Sequence, residues 1–290
     1  MSFFNKLKYM ELNSAWARNL LRLYYKPDKI YRIPLGDLRG YRIRYRGDVN
    51  FHVMLGFWEV RNFNFLKNVL IRGNLIKKDS VIFDVGGNIA TYSLWFSRYL
   101  PLSRIYAFEP IPEVLSSFEE NIRLNGIGNV KPYPFALTDK EGSIEIFLGN
   151  HHHCSSIHKD WATEGDGQPA QSIHVKTTTL DLFPQKEKID SPDFIKMDIE
   201  GGGTLALKAA DEIFRSKRPL MLMECHTPQE DRALSDLLVK WDYQAYRLTT
   251  QAYVRNLSTT HPDPEGVWGV MFIYPAERHT EVSSAINKNN

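Results

Sequence analysis

A glycine-containing stretch near residue 85 has the residue types that can hold a bound ligand. The apolar run Val81–Val85 contains Asp84 and leads into Gly86, Gly87 and Asn88. Glycines at a turn after a strand let backbone N–H groups come close to a bound molecule, and the aspartate can fix a polar group of that molecule. The alternative interpretation is an ordinary strand–turn–helix connection, which needs no ligand. We predict a ligand site at this turn.

A second acidic position indicates the class of ligand. Glu109 and Pro110 follow an apolar run over residues 104–108. A carboxylate at the end of the second strand of a βαβ unit can accept hydrogen bonds from both hydroxyls of a ribose. This acid alone fits either NAD or S-adenosylmethionine. The glycine run lacks the third glycine of the G-x-G-x-x-G pattern and offers little cradle for a pyrophosphate, which favours a cofactor without phosphates.

Acidic residues also follow two later apolar runs. Asp198 and Glu200 follow the run 194–197 and precede three glycines, while Glu224 and His226 follow another run. Because the carboxyl ends of neighbouring parallel strands share one crevice, we expect these side chains to border the cofactor. Capping of a helix N-terminus is the alternative role for the first two acids. His226 is the best-placed general base, although a histidine at a strand end is as often only a hydrogen-bonding residue.

The histidine cluster His151–His153, followed by Cys154, is a candidate metal site. Adjacent histidines in an extended segment point to alternate sides, and no His-x₃-His or Cys-x₂-Cys spacing supports a preformed tetrahedral site. We expect no metal there, and we expect Cys154 to be an ordinary thiol. The acids at positions 198, 200 and 224 and His226 could hold a divalent cation only if they converge. We expect turnover to need no metal.

The elements that must position these residues alternate between strand and helix from residue 81 onward. This alternation is typical of a mostly parallel sheet with helices on both faces. At 290 residues with 43% hydrophobic content, the chain can form one α/β domain with a full core and an N-terminal extension. The predicted organisation is an extension over residues 1–70, a cofactor-binding domain over 71–275 and a flexible tail over 276–290.

The first part of the chain is strongly basic. Residues 1–46 hold eleven Lys or Arg against three acidic residues, so their net charge is +8, and the rest of a chain of net charge +2 carries −6. Interspersed apolar residues indicate amphipathic helices, which can pack on their own domain, bind an anionic membrane surface or cover an acidic substrate. Packing on the domain is the arrangement we expect. The aromatic-rich residues 51–65, with a lone acid at Glu59, either cover the cofactor or simply pack.

Cysteine content and hydropathy bear on the location of the protein. Cys154 and Cys225 are too few and too far apart to suggest a disulfide framework. No charged–apolar–small signal precedes the predicted fold, and no window approaches the roughly 20 apolar residues of a membrane span. We therefore expect a cytoplasmic protein.

Taken in chain order, the motifs resemble the FkbM family of S-adenosylmethionine-dependent methyltransferases. The resemblance covers about Val81 to His226, and several motifs in order at compatible separations are specific, although each alone is weak. It implies a Rossmann-like class I methyltransferase fold with a mostly parallel, seven-stranded sheet. The motifs are Phe83-Asp84-Val85-Gly86-Gly87-Asn88, Ala107-Phe108-Glu109-Pro110, Asn121 with Leu124-Asn125, Ala136-Leu137-Thr138-Asp139, Thr179-Leu180-Asp181, Phe194-Ile195-Lys196-Met197-Asp198-Ile199-Glu200-Gly201 and Glu224-Cys225-His226.

The resemblance implies S-adenosylmethionine as cofactor and methyl transfer to a hydroxyl of a sugar or secondary metabolite. We expect a small-molecule or glycan acceptor and no nucleic acid. In an in-line displacement the protein positions both reactants, Asp198 supplies electrostatics, and His226 removes the acceptor proton. The expected cofactor contacts are Asp84, Gly86, Gly87 and Asn88 for the methionine end, Glu109 and Pro110 for the ribose, and Ala136 and Leu137 for the adenine edge, with Asp198, Glu200 and His226 facing the acceptor.

The sequence departs from the family pattern at two places. The family usually has alanine where Gly87 stands and glycine where Ala90 stands, and an acid commonly follows the Glu-Gly pair near Gly202 and Gly203. The first departure exchanges small residues and should leave cofactor binding possible. The second removes a carboxylate on the acceptor side. A NAD-linked oxidoreductase and a catalytically silent binding module on the same fold remain alternatives.

Overall fold

The apolar runs after residue 80 form the strands of a central sheet in a computed structural model that describes residues 15–47, 49–149, 155–159, 171–254 and 269–288. In chain order, the strands of this sheet and of two smaller sheets are β1 (Lys29–Arg32), β2 (Arg42–Tyr45), β3 (Val81–Val85), β4 (Arg104–Phe108), β5 (Val130–Tyr133), β6 (Ala136–Leu137), β7 (Gly142–Phe147), β8 (Ser172–Thr178), β9 (Phe194–Met197), β10 (Leu220–Cys225), β11 (Tyr243–Arg247), β12 (Ala252–Val254) and β13 (Gly269–Pro275).

Amphipathic stretches between the strands form the helices. The start of the helix after β10 is encoded locally: the Thr227 hydroxyl accepts from the Glu230 N–H, and the Glu230 carboxylate reaches back in a capping box. The helices are α1 (Ala15–Tyr24), α2 (Phe51–Leu55), α3 (Val60–Leu66), α4 (Thr91–Tyr99), α5 (Pro112–Leu124), α6 (Leu182–Glu187), α7 (Gly203–Lys208), α8 (Pro228–Trp241) and α9 (His279–Asn287), with π-helical turns at Lys67–Arg72 and Ile213–Lys217 and a 3₁₀ turn at Ala276–Arg278.

The central sheet has the strand order β12-β11-β13-β10-β9-β3-β4-β5. Pairing is parallel from β10 through β5, whereas β13 lies antiparallel between β10 and β11. This confirms the Rossmann-like α/β fold. The sheet has one strand more than the expected seven because the short strand β12 pairs with the edge strand β11. The carboxyl ends of β3, β4, β9 and β10 therefore meet at one edge, where the predicted site residues lie.

A smaller sheet of order β6-β8-β7 stands beside the carboxyl end of β4. β6 pairs in parallel with β8, and β7 pairs with β8 in antiparallel register. Ala136 of β6 packs against a buried cluster that contains Ile111 and Val114, which follow the turn after β4. Leu137 belongs to another buried cluster, which contains Phe108 at the end of β4.

The N-terminal segment packs on the helices of the main domain. Ile33, Ile43 and Leu66 belong to the same cluster of buried residues as Trp95 and Phe96 of α4. One hydrophobic core therefore runs across residue 70, where the sequence suggested a boundary. The described part of the segment has the arrangement that we expected, packed on its own domain.

Part of the basic charge of this segment is used within the protein. Arg44 and Arg46 lie 2.7 and 3.1 Å from carboxylate oxygens of Glu120 on α5. Leu23 and Tyr24 of α1, in contrast, are each 69% exposed. Among the helices in the described ranges, none combines the length and the apolar character needed to cross a bilayer.

The expected flexible tail is instead a helix over most of its length. Helix α9 buries Val282, Ala285 and Ile286, whose spacing puts them on one helical face. Arg278, just before α9, donates a hydrogen bond to the carbonyl of Leu75 at 2.7 Å. The apolar spacing is the local signal for this helix, but its burial depends on a packing surface formed by residues far away in the sequence.

Substitution of Val282 tests whether α9 is part of the core. Val282 is fully buried, so Val282→Ala should lower the free energy of unfolding by about 2 kcal/mol, measured by urea denaturation. Val239 on α8 is 84% exposed, and Val239→Ala should change stability by less than about 0.5 kcal/mol. Equal, small effects of both substitutions would mean that α9 does not pack as described.

Candidate active site

The turn after β3 is held tightly against the end of β9. Asp84 is fully buried, and the Ser93 hydroxyl of α4 donates to its Oδ2 at 2.6 Å. Gly86 has φ +78°, and a Cβ at this position would lie 1.8 Å from the carbonyl oxygen of Asp198. Both the backbone conformation and the close approach require glycine. The turn therefore lies directly beside the end of the neighbouring strand.

The family's alanine and glycine positions are exchanged here for a steric reason. A Cβ on Gly87 would lie 2.8 Å from Cε2 of Phe118, a fully buried ring of α5. Ala90 carries φ +76°, in the left-handed region that glycine adopts at lower cost. This chain fills the space near residue 87 with the Phe118 ring and accepts backbone strain at Ala90.

Glu109 connects the two turns that were predicted to hold the cofactor. Its Oε2 accepts from the Asn88 N–H and its Oε1 from the Ile111 N–H, both at 3.0 Å. Pro110, which has no N–H, separates Glu109 from Ile111. These two bonds hold the Glu109 carboxylate between the turn after β3 and the turn after β4. The structure thus brings Asp84, Asn88 and Glu109 to one edge, as expected.

Lys196 is a central residue of the site to which the sequence reasoning gave no role. Its Nζ donates to the Gly86 carbonyl at 2.8 Å and lies 3.7 Å from both Asp84 Oδ1 and Asp198 Oδ2. It also lies 4.8 Å from the ring centroid of Tyr92. Burial alone would lower the pKa of Lys196, but the surrounding carboxylates, led by Asp198 and Asp84, raise it. A lysine within an apolar strand was the available signal.

The residues predicted to face the acceptor converge around His226. Its Nε2 lies 3.6 Å from Asp198 Oδ1, 3.6 Å from Glu224 Oε1 and 3.9 Å from Glu200 Oε2. The backbone N–H of His226 donates to Glu230 Oε2 at 2.7 Å. The capping box at the start of α8 therefore fixes the position of the histidine. Glu200 has φ +46°, a left-handed conformation that turns the chain after Asp198.

The electrostatics of this cluster favour the protonated form of His226. Burial disfavours the imidazolium, but Glu224, Asp198 and Glu200 outweigh burial and raise the pKa of His226 to about 9. Burial, and then the charge of Asp198, raise the pKa of Glu200 to about 8. The free protein at pH 7 therefore carries a protonated His226. Asp198 and Glu200 come from a different strand end than His226, so the sequence around His226 could not reveal the whole shift.

Three residues of the cluster have the geometry of potential metal ligands. One ligand atom each from Asp198, Glu224 and His226 lies within 4.8 Å of the others. The convergence that the sequence could not show is therefore present, and these side chains could hold a divalent cation. The competing charge is already nearby, since Lys196 also lies 3.7 Å from Asp198. The other candidate, residues 151–154, lies outside the described residues.

The aromatic-rich N-terminal residues form one wall of the site. One pocket borders the glycine turn and the ends of β3 and β9, and the N-terminal segment covers it from the other side. The lining residues are Val49, Asn50, Val53, Trp58, Gly86, Asn88, Ile89, Thr91, Tyr92, Lys196 and Asp198. Residues 51–65 therefore have both of the roles that were considered. They pack in the core, and they cover the pocket.

The parallel sheet, the glycine turn after β3, the acid after β4 and the acidic cluster after β9 and β10 define a Rossmann-like methyltransferase fold. The family model described as the methyltransferase FkbM domain matches residues 84–248, which is more than half of the chain. The protein belongs to the FkbM methyltransferase family.

Characterised relatives share about a quarter of their aligned residues with this chain. Methyltransferase 1 of Beauveria bassiana is 26% identical over 148 residues, covering 46% of this chain and 59% of the relative. The hexuronic acid methyltransferase AglP of Haloferax volcanii is 27% identical over 162 residues, covering 56% and 62%. The 2-O-methyltransferase NoeI of Sinorhizobium fredii is 26% identical over 191 residues, covering 59% and 76%. The chain thus spans less than two thirds of the first two relatives.

Among solved structures, the chain is similar to an FkbM methyltransferase of Methylobacillus flagellatus KT. The sequence identity is 16% and the TM-score is 0.45, and the alignment covers 72% of this chain and 47% of that chain.

The exchange at residues 87 and 90 gives a stability prediction. Gly87→Ala should destabilise the protein by about 1–3 kcal/mol, because its Cβ would overlap the Phe118 ring. Ala90→Gly loses a buried methyl but relieves the left-handed strain, so it should change stability by less than about 1 kcal/mol. Urea denaturation of both variants, and of Gly87→Ala combined with Phe118→Leu, measures the coupling. An unchanged stability of Gly87→Ala would show that the ring does not occupy this space.

Proposed function

We propose that the protein is an S-adenosylmethionine-dependent O-methyltransferase acting on a hydroxyl of a sugar or secondary metabolite. The observation that supports this most directly is the position of the Asp198–His226 pair. The two side chains are 3.6 Å apart, and Asp198 belongs to the same pocket wall as Gly86 and Asn88 of the glycine turn. Asp198, the neighbour of the proposed proton acceptor His226, and a cofactor-type turn therefore border one space, which supports methyl transfer to a hydroxyl.

The residues present fit this cofactor. The glycine turn, with Asp84 and Asn88, would take the methionine end, and Glu109, whose carboxylate lies between the two turns, would accept from ribose hydroxyls. Ala136 and Leu137 offer an apolar edge for adenine beside the Glu109 turn. When bound, S-adenosylmethionine supplies a methyl group activated by a positively charged sulfur. Carboxylates outnumber cationic side chains around the pocket, which favours such a cation.

The relatives support oxygen as the methylated atom and a sugar as acceptor. One is named for hexuronic acid and another for 2-O-methylation. Polar acceptors of this kind suit a site edge formed by Asp198, Glu200 and Glu224. Acceptor identity within this class depends on residues on the open side of the pocket.

In this proposal His226 removes the acceptor proton and Asp198 orients the reacting groups. Nε2 of His226 would take the hydroxyl proton in its neutral form. Asp198 lies between Lys196 and His226, at 3.7 and 3.6 Å, so it can orient both and favour positive charge on the cofactor. Glu200 and Glu224 would stabilise the imidazolium that forms. No metal is needed in this scheme, and retained activity in EDTA would support that expectation.

Two further expectations remain proposals. A cytoplasmic location remains the expectation from cysteine content and hydropathy. Contact of residues 1–46 with an anionic membrane or acidic substrate would use basic side chains that are not engaged with Glu120, such as the exposed Arg22 and Lys29. Such binding should weaken as salt is added.

Calorimetric titration with S-adenosylmethionine and with NAD tests the cofactor assignment. We expect S-adenosylmethionine alone to bind, and we expect Glu109→Ala to weaken it by about 10- to 100-fold through loss of a charged acceptor. Glu119→Ala, on the exposed face of α5, is the matched control and should bind like the wild type. Binding of NAD instead would favour the oxidoreductase, and binding without turnover of any hydroxyl acceptor would favour a silent module.

The pH dependence of turnover tests the role of His226. Because its pKa is about 9, the imidazole is protonated below that pH and becomes a base above it. Turnover should therefore rise with pH up to about 9, and His226→Gln should lower it by about 10²–10⁴-fold and abolish this rise. Asp198→Asn should impair both turnover and cofactor affinity. A rise with pH that persists in His226→Gln would assign deprotonation to another group.

A further inference from the structure

We propose that Glu59, which lies outside the family-matched residues 84–248, stabilises the cationic sulfur of the cofactor electrostatically from behind the pocket wall. The inference rests on the proposed function and deepens it. Glu59 comes from the N-terminal segment and stands at the start of α3, directly after Trp58 of the pocket wall. Nothing in the family match assigns it a role.

The side chain of Glu59 is anchored by one of its two oxygens. Tyr92 Oη donates to Oε2 at 3.0 Å, and the Asn62 side-chain amide donates to the same oxygen. The Asn62 amide also donates to Tyr92 Oη at 3.1 Å, which closes a ring of three hydrogen bonds. No residue in the described ranges donates a hydrogen bond to Oε1. One oxygen fixes the carboxylate, and the other keeps its acceptor capacity.

This anchor leads directly to the centre of the site. Lys196 Nζ lies 4.8 Å from the centroid of the Tyr92 ring, and it donates a hydrogen bond to the Gly86 carbonyl at 2.8 Å. Trp58 precedes Glu59 in the chain, and Tyr92 donates a hydrogen bond to it. Both residues line the pocket together with Asp198. Glu59 is therefore held behind the pocket wall by residues that contact the pocket space.

The backbone at Glu59 is strained. The residue has φ +51° and ψ +28°, in the left-handed region, and its side chain makes no capping hydrogen bond to α3. A left-handed non-glycine residue costs on the order of 1 kcal/mol, and such strain is concentrated at ligand sites and switch regions. A residue that only began a helix would do so better as Ser, Thr, Asp or Asn. The conformation instead directs the carboxylate to Tyr92, a residue of the pocket wall.

The electrostatic surroundings of Glu59 favour a cationic occupant. Burial, followed by the negative charges of Glu224 and Asp198, raises the pKa of Glu59 to about 7, against the opposing effects of Tyr92 and Lys196. The charges that act on Glu59 thus include those of the acceptor-side acids, where the reacting sulfur must lie for transfer to a hydroxyl. A positive charge placed among these carboxylates offsets their repulsion. The ammonium of the methionine end would lie instead near Asp84 and the glycine turn.

Binding of two cofactor forms to Glu59→Gln separates this role from a structural one. S-adenosylmethionine and S-adenosylhomocysteine share every group except the charged, methylated sulfur. Glu59→Gln keeps the shape and an acceptor for Tyr92 but removes the charge. We expect calorimetry to show about tenfold or more loss of S-adenosylmethionine affinity and less than twofold loss for S-adenosylhomocysteine.

The pH dependence of binding provides a second readout. Glu59 ionises as pH rises through about 7, so wild-type affinity for S-adenosylmethionine should increase from pH 6 to pH 8. Lys196 and Tyr92 keep their charge states in this range, whereas Glu200 also titrates near pH 8. The difference between wild type and Glu59→Gln isolates the contribution of Glu59. In Glu59→Gln this carboxylate is absent. The ratio of the affinities for S-adenosylmethionine and S-adenosylhomocysteine should therefore lack the pH-dependent contribution of Glu59.

Glu119→Gln is the matched control, since it removes one carboxylate from an exposed position and should leave both affinities unchanged. Thermal melting of each variant checks that the fold is intact. Equal weakening of both ligands by Glu59→Gln, or no weakening of either, would overturn the inference. Failure of the wild type to bind S-adenosylmethionine would instead overturn the proposed function, so the two failures are distinguishable.

Discussion

One buried ammonium group organises the catalytic edge of the sheet. Lys196 stands on β9 between the carboxylates of Asp84 and Asp198, at 3.7 Å from each, and it holds the Gly86 carbonyl. Without it, two acids from neighbouring strands would face each other with little solvent, which costs several kcal/mol for each unpaired buried ion. The lysine thus stabilises the close approach of the glycine turn to the acidic strand end. This approach is sterically possible because Gly86 has no Cβ.

The same lysine connects the catalytic edge to the N-terminal segment. Tyr92 lies between them: its ring contacts Lys196, and its hydroxyl donates to Glu59. The segment also shares the hydrophobic core, so its position does not depend on that contact alone. A cover that packs in the core can shape a pocket with little loss of conformational entropy on ligand binding. The family-matched residues 84–248 therefore do not contain the whole pocket wall.

The sequence predicted those parts of the site that follow from local pattern and sheet topology. Strand ends with Asp84, Glu109, Asp198 and His226 could be placed together because parallel strands deliver their carboxyl ends to one edge. Lys196 received no role because a lysine in an apolar run gives no information about its partners. Glu59 was noted but not placed, since its contacts cross 33 residues to Tyr92. The pKa of His226 depends on the sum of three charges. The burial of helix α9 depends on a packing surface formed by distant residues.

The surplus of carboxylates links the cofactor to the acceptor in the proposed reaction. In the free protein, burial and mutual repulsion raise the pKa values of Glu59 and Glu200, so part of the negative charge is neutralised by protons near pH 7. A cation entering between them favours the ionised carboxylates. Entry of the charged cofactor would therefore release protons from the acids. The negative charge on the acceptor side is thus largest when the methyl donor is in place, and the neutral product sulfur would reverse the change.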